Sequence, residues 1–278
     1  MGNTLQQIAK TLRINNIEDA HVEARMLLGH ILHRSPAGLY SEPEYSLNDE
    51  QKQGLEQLVE RRLQREPSAY ITNCREFYGI NFYVDHRVLI PRPETELLVE
   101  EALKFAQPEK PLVIADIGTG CGNIAISLVL HMSNARMYAV DISASALEVA
   151  GINCILHKVT DRVILLQGNL LEPLTEPVDL IVANLPYIAT PELMQLSPEI
   201  YCFEPPEALD GGTKGLNLIN QLLRQVKEMG NRPTRLLLEI GTGQAQLVSN
   251  VVKKHLPNAT SKFMPDLNGI ERVIEITI

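Results

Sequence analysis

The sequence predicts an α/β protein, a mostly parallel sheet with helices on both faces, preceded by a small all-helical region. Three observations carry that expectation. From about Leu112 onward, short apolar runs alternate with helical patterns, as in a parallel sheet covered by helices. Within that region, Leu112-Val113-Ile114-Ala115-Asp116-Ile117-Gly118-Thr119-Gly120-Cys121-Gly122 is an apolar strand running into a glycine-rich loop, followed by a helical pattern in Ile124, Ala125, Ser127, Leu128 and Val129. Upstream of about residue 70, by contrast, apolar residues recur at helical spacing.

Taking the chain in order, Asp19 to His33 carries Val22, Met26, Leu27, Leu28, Ile31 and Leu32 on one helical stripe. His30 and His33 lie close on a helical face, but no second ligand pair accompanies them, so they read as ordinary helix residues. Ser46 and Asn48 are cap candidates for a helix from about Asp49 to Gln64. In that helix Leu55, Leu58, Val59 and Leu63 form a core stripe, and Glu60, Arg61, Arg62 and Arg65 read as a solvated charged face. Pro67 is expected to end the helical region.

Between Glu76 and Leu89 the pattern changes to short β-type runs around Gly79, read as a β-hairpin linking two domains. Pro91-Arg92-Pro93 is a stiff bend suited to a pocket wall, and Glu94 and Thr95 start a helix bearing Leu97, Leu98, Val99, Ala102 and Leu103. The boundaries expected are 1–73 for a helical domain, 74–90 for the linker and 91–278 for the α/β domain.

Strands are expected near 112–117, 137–140, 163–167, 179–183 and 235–240, with a final pair near 261–264 and 271–277. Leu237-Leu238-Glu239-Ile240-Gly241-Thr242-Gly243-Gln244 imitates the first glycine loop, but no acidic second strand follows, so its glycines read as structural. The long stretch after Tyr187, with Phe203-Glu204-Pro205-Pro206 and Gly211-Gly212, reads as a lid or docking insertion.

Two strand ends carry candidate chemistry. In the strand–glycine–helix unit, backbone N–H groups of Gly118, Thr119, Gly120, Cys121 and Gly122 face a ligand. The spacing is not G-x-G-x-x-G, so a dinucleotide pyrophosphate is not the expected ligand. The next strand ends at Asp141, an acid placed to bind both hydroxyls of a ribose. The later strand Asp179 to Ala183 breaks at Asn184-Leu185-Pro186-Tyr187. An amide, a turn stiffened by proline and an aromatic ring suit a planar, amide-like group, held edge-on by hydrogen bonds and face-on by the ring. The bland alternative is a capped strand followed by a proline turn.

Composition narrows the class. The 278 residues include 45% hydrophobic side chains, enough for a full core, and allow two domains. No apolar run approaches a membrane span, and no basic-then-apolar leader opens the chain. Cys74, Cys121, Cys154 and Cys202 show no paired spacing, which argues for reduced thiols in the cytoplasm and against a zinc site. The formal charge of −9 argues against broad nucleic-acid binding.

These motifs together resemble the class I S-adenosylmethionine-dependent methyltransferases that methylate glutamine in peptide chain release factors. The resemblance rests on Arg75-Glu76-Phe77-Tyr78-Gly79, on Val88 to Glu96 with its Ile-Pro-Arg-Pro-Glu-Thr-Glu run, on Asp116 to Gly122, on Ala139-Val140-Asp141, on Asn184 to Tyr187 and on Phe203-Glu204-Pro205. That family usually has Asn-Pro-Pro-Tyr, whereas this chain has Leu185 at the first proline. The resemblance implies a Rossmann-like methyltransferase fold with seven strands, the last antiparallel, S-adenosylmethionine as cofactor and release factors as protein partners. It implies that Asn169 and Leu170 border the adenine and that the helical N-terminal region docks the partner.

The acceptor would then be the amide of glutamine in a Gly-Gly-Gln loop. An amide nitrogen is a poor nucleophile, so the site must hold it in line with the methyl–sulfur bond. Asn184 Oδ1 can accept one N–H and the Leu185 carbonyl the other, while Tyr187 packs on the plane. Two enzyme alternatives stand beside this: an rRNA adenine N6-methyltransferase, whose family also uses Asn-Leu-Pro-Tyr, and a glutamine methyltransferase acting on a ribosomal protein. A non-catalytic cofactor-binding module is a third, disfavoured by the intact Asn184, Tyr187 and Asp141.

Overall fold

The computed structural model describes residues 2–34, 38–39, 45–106, 110–230 and 233–278. Two compact units emerge from it: Met1–Cys74 together with Ser197–Phe203, and Arg75–Leu196 together with Glu204–Ile278.

The first unit is helical: α1 (Gly2–Ile14), α2 (Ala20–Leu32), α3 (Asp49–Leu63) and the short α4 (Ser68–Thr72). Asn48 caps α3 by a reciprocal box: its side chain accepts from Gln51 N, and the Gln51 side chain accepts from Asn48 N. The core joins Ile8 and Leu12 of α1, Leu27 and Leu28 of α2 and Leu55 of α3. Two expectations need correction. Pro67 does not end the helices; it occupies the cap position of α4, where its missing N–H costs nothing. Arg62 is not on a solvated face. It is buried, with Nε 3.1 Å from Glu23 Oε2 and Nη1 3.2 Å from Glu199 Oε1. A buried guanidinium must be paired, and these two carboxylates pair it.

The second unit opens with the antiparallel hairpin β1 (Arg75–Phe77) and β2 (Ile80–Phe82), turned at Tyr78-Gly79. A 3-10 turn at Pro93–Thr95 leads into α5 (Glu96–Leu103), so Thr95 sits in a tight turn before the α-helix. The sheet then builds from β3 (Leu112–Ile117), α6 (Asn123–His131), β4 (Ala135–Asp141), α7 (Ala144–Leu156), β5 (Val163–Gln167) and β6 (Leu180–Ala183). After α8 (Pro198–Tyr201), whose segment belongs to the first unit, come α9 (Asn217–Glu228), β7 (Arg235–Glu239), α10 (Ala245–His255), β8 (Thr260–Pro265) and β9 (Glu271–Thr277).

The strand order is β5-β4-β3-β6-β7-β9-β8, parallel except for β9, which runs antiparallel to both neighbours. Side chains alternate between two cores. Ile114, Val182 and Leu237 pack with Leu98 of α5 and Leu128 of α6. Ala115, Ile181, Ala183 and Leu238 pack on the opposite face with Leu222 of α9 and Val248 of α10. By the same alternation Asp116 and Glu239, two residues beyond Ile114 and Leu237, share the α5 and α6 side. The chain runs outward from β3 to β5 and then returns to place β6 against β3, with Ile117 opposite Ala183. That reversal is the crevice where open α/β sheets bind ligands.

Candidate active site

The glycine loop leaves β3 with Gly118, Gly120 and Gly122 all at positive φ (76°, 56° and 83°), a path that side-chain-bearing residues rarely follow. Gly118 N and Thr119 N both donate to Val140 O at 2.9 Å, anchoring the loop to the end of β4. Inside the turn, the Thr119 hydroxyl donates to Asp116 Oδ2 at 2.6 Å and Ala125 N donates to the same oxygen at 3.2 Å. Burial pushes the Asp116 carboxyl up to about 7, against those two donors.

Asp141 follows directly. Its Oδ2 accepts from Gly120 N and its Oδ1 from Ser143 N, both at 2.9 Å. Burial raises its pKa, and the Ser143 and Gly120 N–H groups pull the other way. Each carboxylate oxygen keeps acceptor capacity beyond these bonds.

A cavity opens above this edge. Gly118, Gly120, Asp141, Asn169, Leu170, Asn184, Leu185 and Pro186 line it, so strand ends β3, β4 and β6 and the loop after β5 converge there. Thr119, Cys121, Gly122 and Tyr187 are not in its wall. Thr119 faces Asp116, Cys121 is buried, and Gly122 lies against Ala150, where a Cβ would sit 3.4 Å from that side chain. Leu170 is held at φ 56°, a strained conformation for leucine, beside Leu171 N, which donates to Gln225 Oε1.

Asn184 presents its amide at this wall. Nδ2 donates to Thr95 Oγ1 at 3.0 Å, while Oδ1 has no partner among the described residues. Tyr187 turns away from the cavity and donates its hydroxyl to Glu239 Oε1 at 3.1 Å. Burial is the first cause raising the Tyr187 hydroxyl above its ordinary range, with the Glu239 charge second. The turn that carries these residues is clamped. Gln244 Nε2 donates to Tyr187 O at 2.8 Å. Gly215 passes so close that a Cβ there would come within 2.0 Å of the same carbonyl. The second glycine stretch and the insertion thus shape the Asn-Leu-Pro-Tyr turn.

The sequence did not say which of several residues pair with one another at this site. Glu204 is buried and paired with Arg92, and its Oε2 accepts from Ile90 N, which ties the insertion to the Pro-Arg-Pro bend. Glu207, Ile142 and Val88 line the cavity. Thr95 and Glu239 stand behind Asn184 and Tyr187. The available signal was an acid at the end of an otherwise apolar buried strand, Leu236-Leu237-Leu238-Glu239.

The donor set fits a cofactor of the S-adenosylmethionine type. Asp141 offers a carboxylate for ribose hydroxyls, and Ile142, an exposed apolar side chain, and Leu170 offer surface for a flat base. Asp141 and Glu207 put acidic groups around a cavity that would take a cationic sulfonium. A seven-stranded sheet with a glycine loop at its switch point and an acid at the end of the next strand defines a Rossmann-like methyltransferase.

Comparison with known proteins narrows the class. Residues 3–72 match the family described as the PrmC N-terminal domain, and residues 93–214 match the ribosomal protein L11 methyltransferase (PrmA) family. A release factor glutamine methyltransferase of Geobacter sulfurreducens is 39% identical over 259 residues, covering 93% of this chain and 89% of the relative. One from Thermodesulfovibrio yellowstonii is 36% identical, covering 91% and 90%. A bifunctional methyltransferase of Rickettsia bellii is 34% identical over 99% of this chain, which spans 54% of that longer relative. Among solved structures, the catalytic domain of hMettl16 in complex with a MAT2A 3'UTR hairpin superposes with a TM-score of 0.60 at 14% identity, covering 76% of this chain and 80% of that one, a likeness of fold. This chain belongs to the release factor glutamine methyltransferase family.

Proposed function

We propose that this protein transfers a methyl group from S-adenosylmethionine to the side-chain amide nitrogen of glutamine in the Gly-Gly-Gln loop of peptide chain release factors. The observation that carries this reading is Asn184: its amide stands at the cavity wall beside the glycine loop and Asp141, with Nδ2 engaged by Thr95 and Oδ1 left for an incoming donor.

In this reading Gly118, Gly120, Asp141, Asn169 and Leu170 hold the cofactor, which supplies an electrophilic methyl on a sulfonium, and Thr119, Cys121 and Gly122 shape the loop behind them. Asn184 Oδ1 accepts one N–H of the glutamine amide and the Leu185 carbonyl accepts the other. Those two bonds orient the nitrogen and stabilise the positive charge that grows on it. Pro186 stiffens the turn and Tyr187 supports it from behind. No strong base is required, because an N-alkylated amidium sheds its proton readily. The glycines of the acceptor loop let an extended backbone enter a narrow slot.

Residues 1–73 act as the docking module for the protein partner, 74–90 as a linker and 91–278 as the catalytic domain, in the cytoplasm. No helix among the described residues is long and apolar enough to cross a membrane. The charge of −9 supports a protein acceptor over bare RNA.

The test is mass spectrometry after incubation with labelled S-adenosylmethionine. Release factor should gain one methyl on the Gly-Gly-Gln glutamine, and a Gln→Glu release factor, ribosomal protein and rRNA should gain none. Equal methylation of rRNA or of the Glu protein overturns the reading.

A further inference from the structure

Behind the cavity wall lies a small buried polar group that the methyl-transfer roles above do not use. Glu239 ends β7 on the α5 side of the sheet and is 2% exposed, as is Thr95. Its Oε1 accepts from the Tyr187 hydroxyl at 3.1 Å, and its Oε2 is buried with no hydrogen-bond partner among the described residues. Thr95 Oγ1 accepts from Asn184 Nδ2 at 3.0 Å. Four residues from three separate stretches therefore meet here, two of them belonging to the Asn-Leu-Pro-Tyr turn.

A hydroxyl that accepts from Asn184 Nδ2 must send its own proton elsewhere. An acceptor for it is the buried Glu239 Oε2, which no other donor among the described residues satisfies; the Thr95 hydroxyl favours the ionised form of that carboxyl without closing a hydrogen bond of normal geometry to it. The polarity then runs one way. An ionised Glu239 takes the Thr95 proton, Thr95 takes the Asn184 N–H, and the Asn184 amide is left with Oδ1 outward. A neutral Glu239 can donate to Thr95 instead, which frees Thr95 to donate to Asn184 and turns the amide round. With Nδ2 outward the site would meet a substrate N–H with a donor.

We propose that Glu239 is a positioning residue: it anchors Tyr187 and, through Thr95, fixes the orientation in which Asn184 presents Oδ1 to the acceptor amide. The proposal rests on the reading of Asn184 as the residue that holds a glutamine amide. Burial pushes the Glu239 carboxyl up to about 7. The Thr95 and Tyr187 hydroxyls and the charge of Arg272 on β9 favour its ionised form, while Glu94 in the Pro93–Thr95 turn opposes it. Arg92 faces Tyr187 from the Pro-Arg-Pro bend. The orientation should therefore be complete above neutral pH and lost below it.

The experiment uses the full chain, S-adenosylmethionine and a release factor carrying the Gly-Gly-Gln loop. Glu239→Gln keeps an acceptor for Tyr187 but offers Thr95 an NH₂ donor, reversing the polarity. It should lower kcat about tenfold to a hundredfold. KM for the release factor and calorimetric cofactor affinity should stay within about a factor of two. The unaltered chain should gain kcat as pH rises through about 7, and Glu239→Gln should lose that rise. Thr95→Val should reproduce the loss, Thr95→Ser should restore it, and the Glu239→Gln, Thr95→Val double variant should be no worse than either single one. Variants with unaltered kcat and pH profile, or with losses that simply add, overturn the proposal. Absence of transfer by the unaltered chain instead overturns the glutamine reading and this proposal with it.

Discussion

Gly120 N donates to Asp141 Oδ2 at 2.9 Å, so the glycine loop and the acid at the end of the next strand form one rigid unit. Because Ser143 N holds Oδ1 in the same way, the carboxylate is oriented before any ligand arrives. Preorganisation of this kind lowers the cost of binding.

Asp141→Ala should accordingly weaken cofactor binding by more than the ribose contacts alone. Each hydrogen bond to the charged acceptor is worth about 1.5–3 kcal/mol, and Gly120 N loses its partner as well. Isothermal calorimetry with S-adenosylmethionine should show a loss of at least about a hundredfold. An unchanged dissociation constant would sink the assignment.

Asp116 should contribute a loss of stability as pH rises from about 4 to 7. Its folded pKa is raised by burial to about 7, above the ordinary 3.8. Below the ordinary value both states hold the proton. Between the two values only the folded state does, so raising the pH through this window favours unfolding. Asp116→Asn keeps an acceptor for Thr119 and Ala125 but cannot titrate. Urea unfolding at pH 5 and pH 8 should show a smaller difference in the variant than in the parent, and an equal difference would refute the assignment.

Arg62→Ala should destabilise the helical unit strongly. Glu23 and Glu199 would be left without the guanidinium that sits between them, and breaking a buried ion pair costs about 3–5 kcal/mol. Replacing all three residues by apolar ones of similar volume should recover much of that loss. A loss below about 1 kcal/mol for the single variant, read from urea midpoints, would show that water already solvates this cluster.

The contrast between β4 and Arg62 shows what the sequence could say. Strands announced themselves because a buried parallel strand is an uninterrupted apolar run, although Arg136 hid the start of β4, which begins at Ala135 and not at Met137. The Gly118, Asp141 and Asn184 edges were legible because each sits at the end of such a run. Arg62 was misread because its partners lie 39 and 137 residues away, and no local charge pattern reports that. The Thr95 and Glu239 contacts were hidden for the same reason: they join positions 89 and 52 residues apart. Local chemistry can mark a strand end as functional. Only the folded chain shows which side chain braces it from behind.

Leu185 marks the departure from the usual Asn-Pro-Pro-Tyr turn, and the structure says what that departure does. Its side chain is buried in the α9 side of the core, and a Cβ on Gly118 would lie 3.2 Å from its Cδ2. Leucine here fills space beneath the glycine loop. Its N–H makes no backbone hydrogen bond among the described residues, so a proline would remove no partner. Proline would also favour extended geometry at Asn184, which suits a strand end. Against this, part of a buried side chain is lost, at about 1–2 kcal/mol, offset by about 0.4–1 kcal/mol from a stiffer unfolded chain. Leu185→Pro should therefore lose no more than about 1 kcal/mol of stability. The carbonyl proposed to accept the second substrate N–H stays in place, so the rate of methyl transfer to release factor should be kept or raised. Urea unfolding and single-turnover transfer check the two halves. A rate loss above about tenfold in a folded variant would show that the leucine side chain, through its contact with Gly118, sets the position of the cofactor loop.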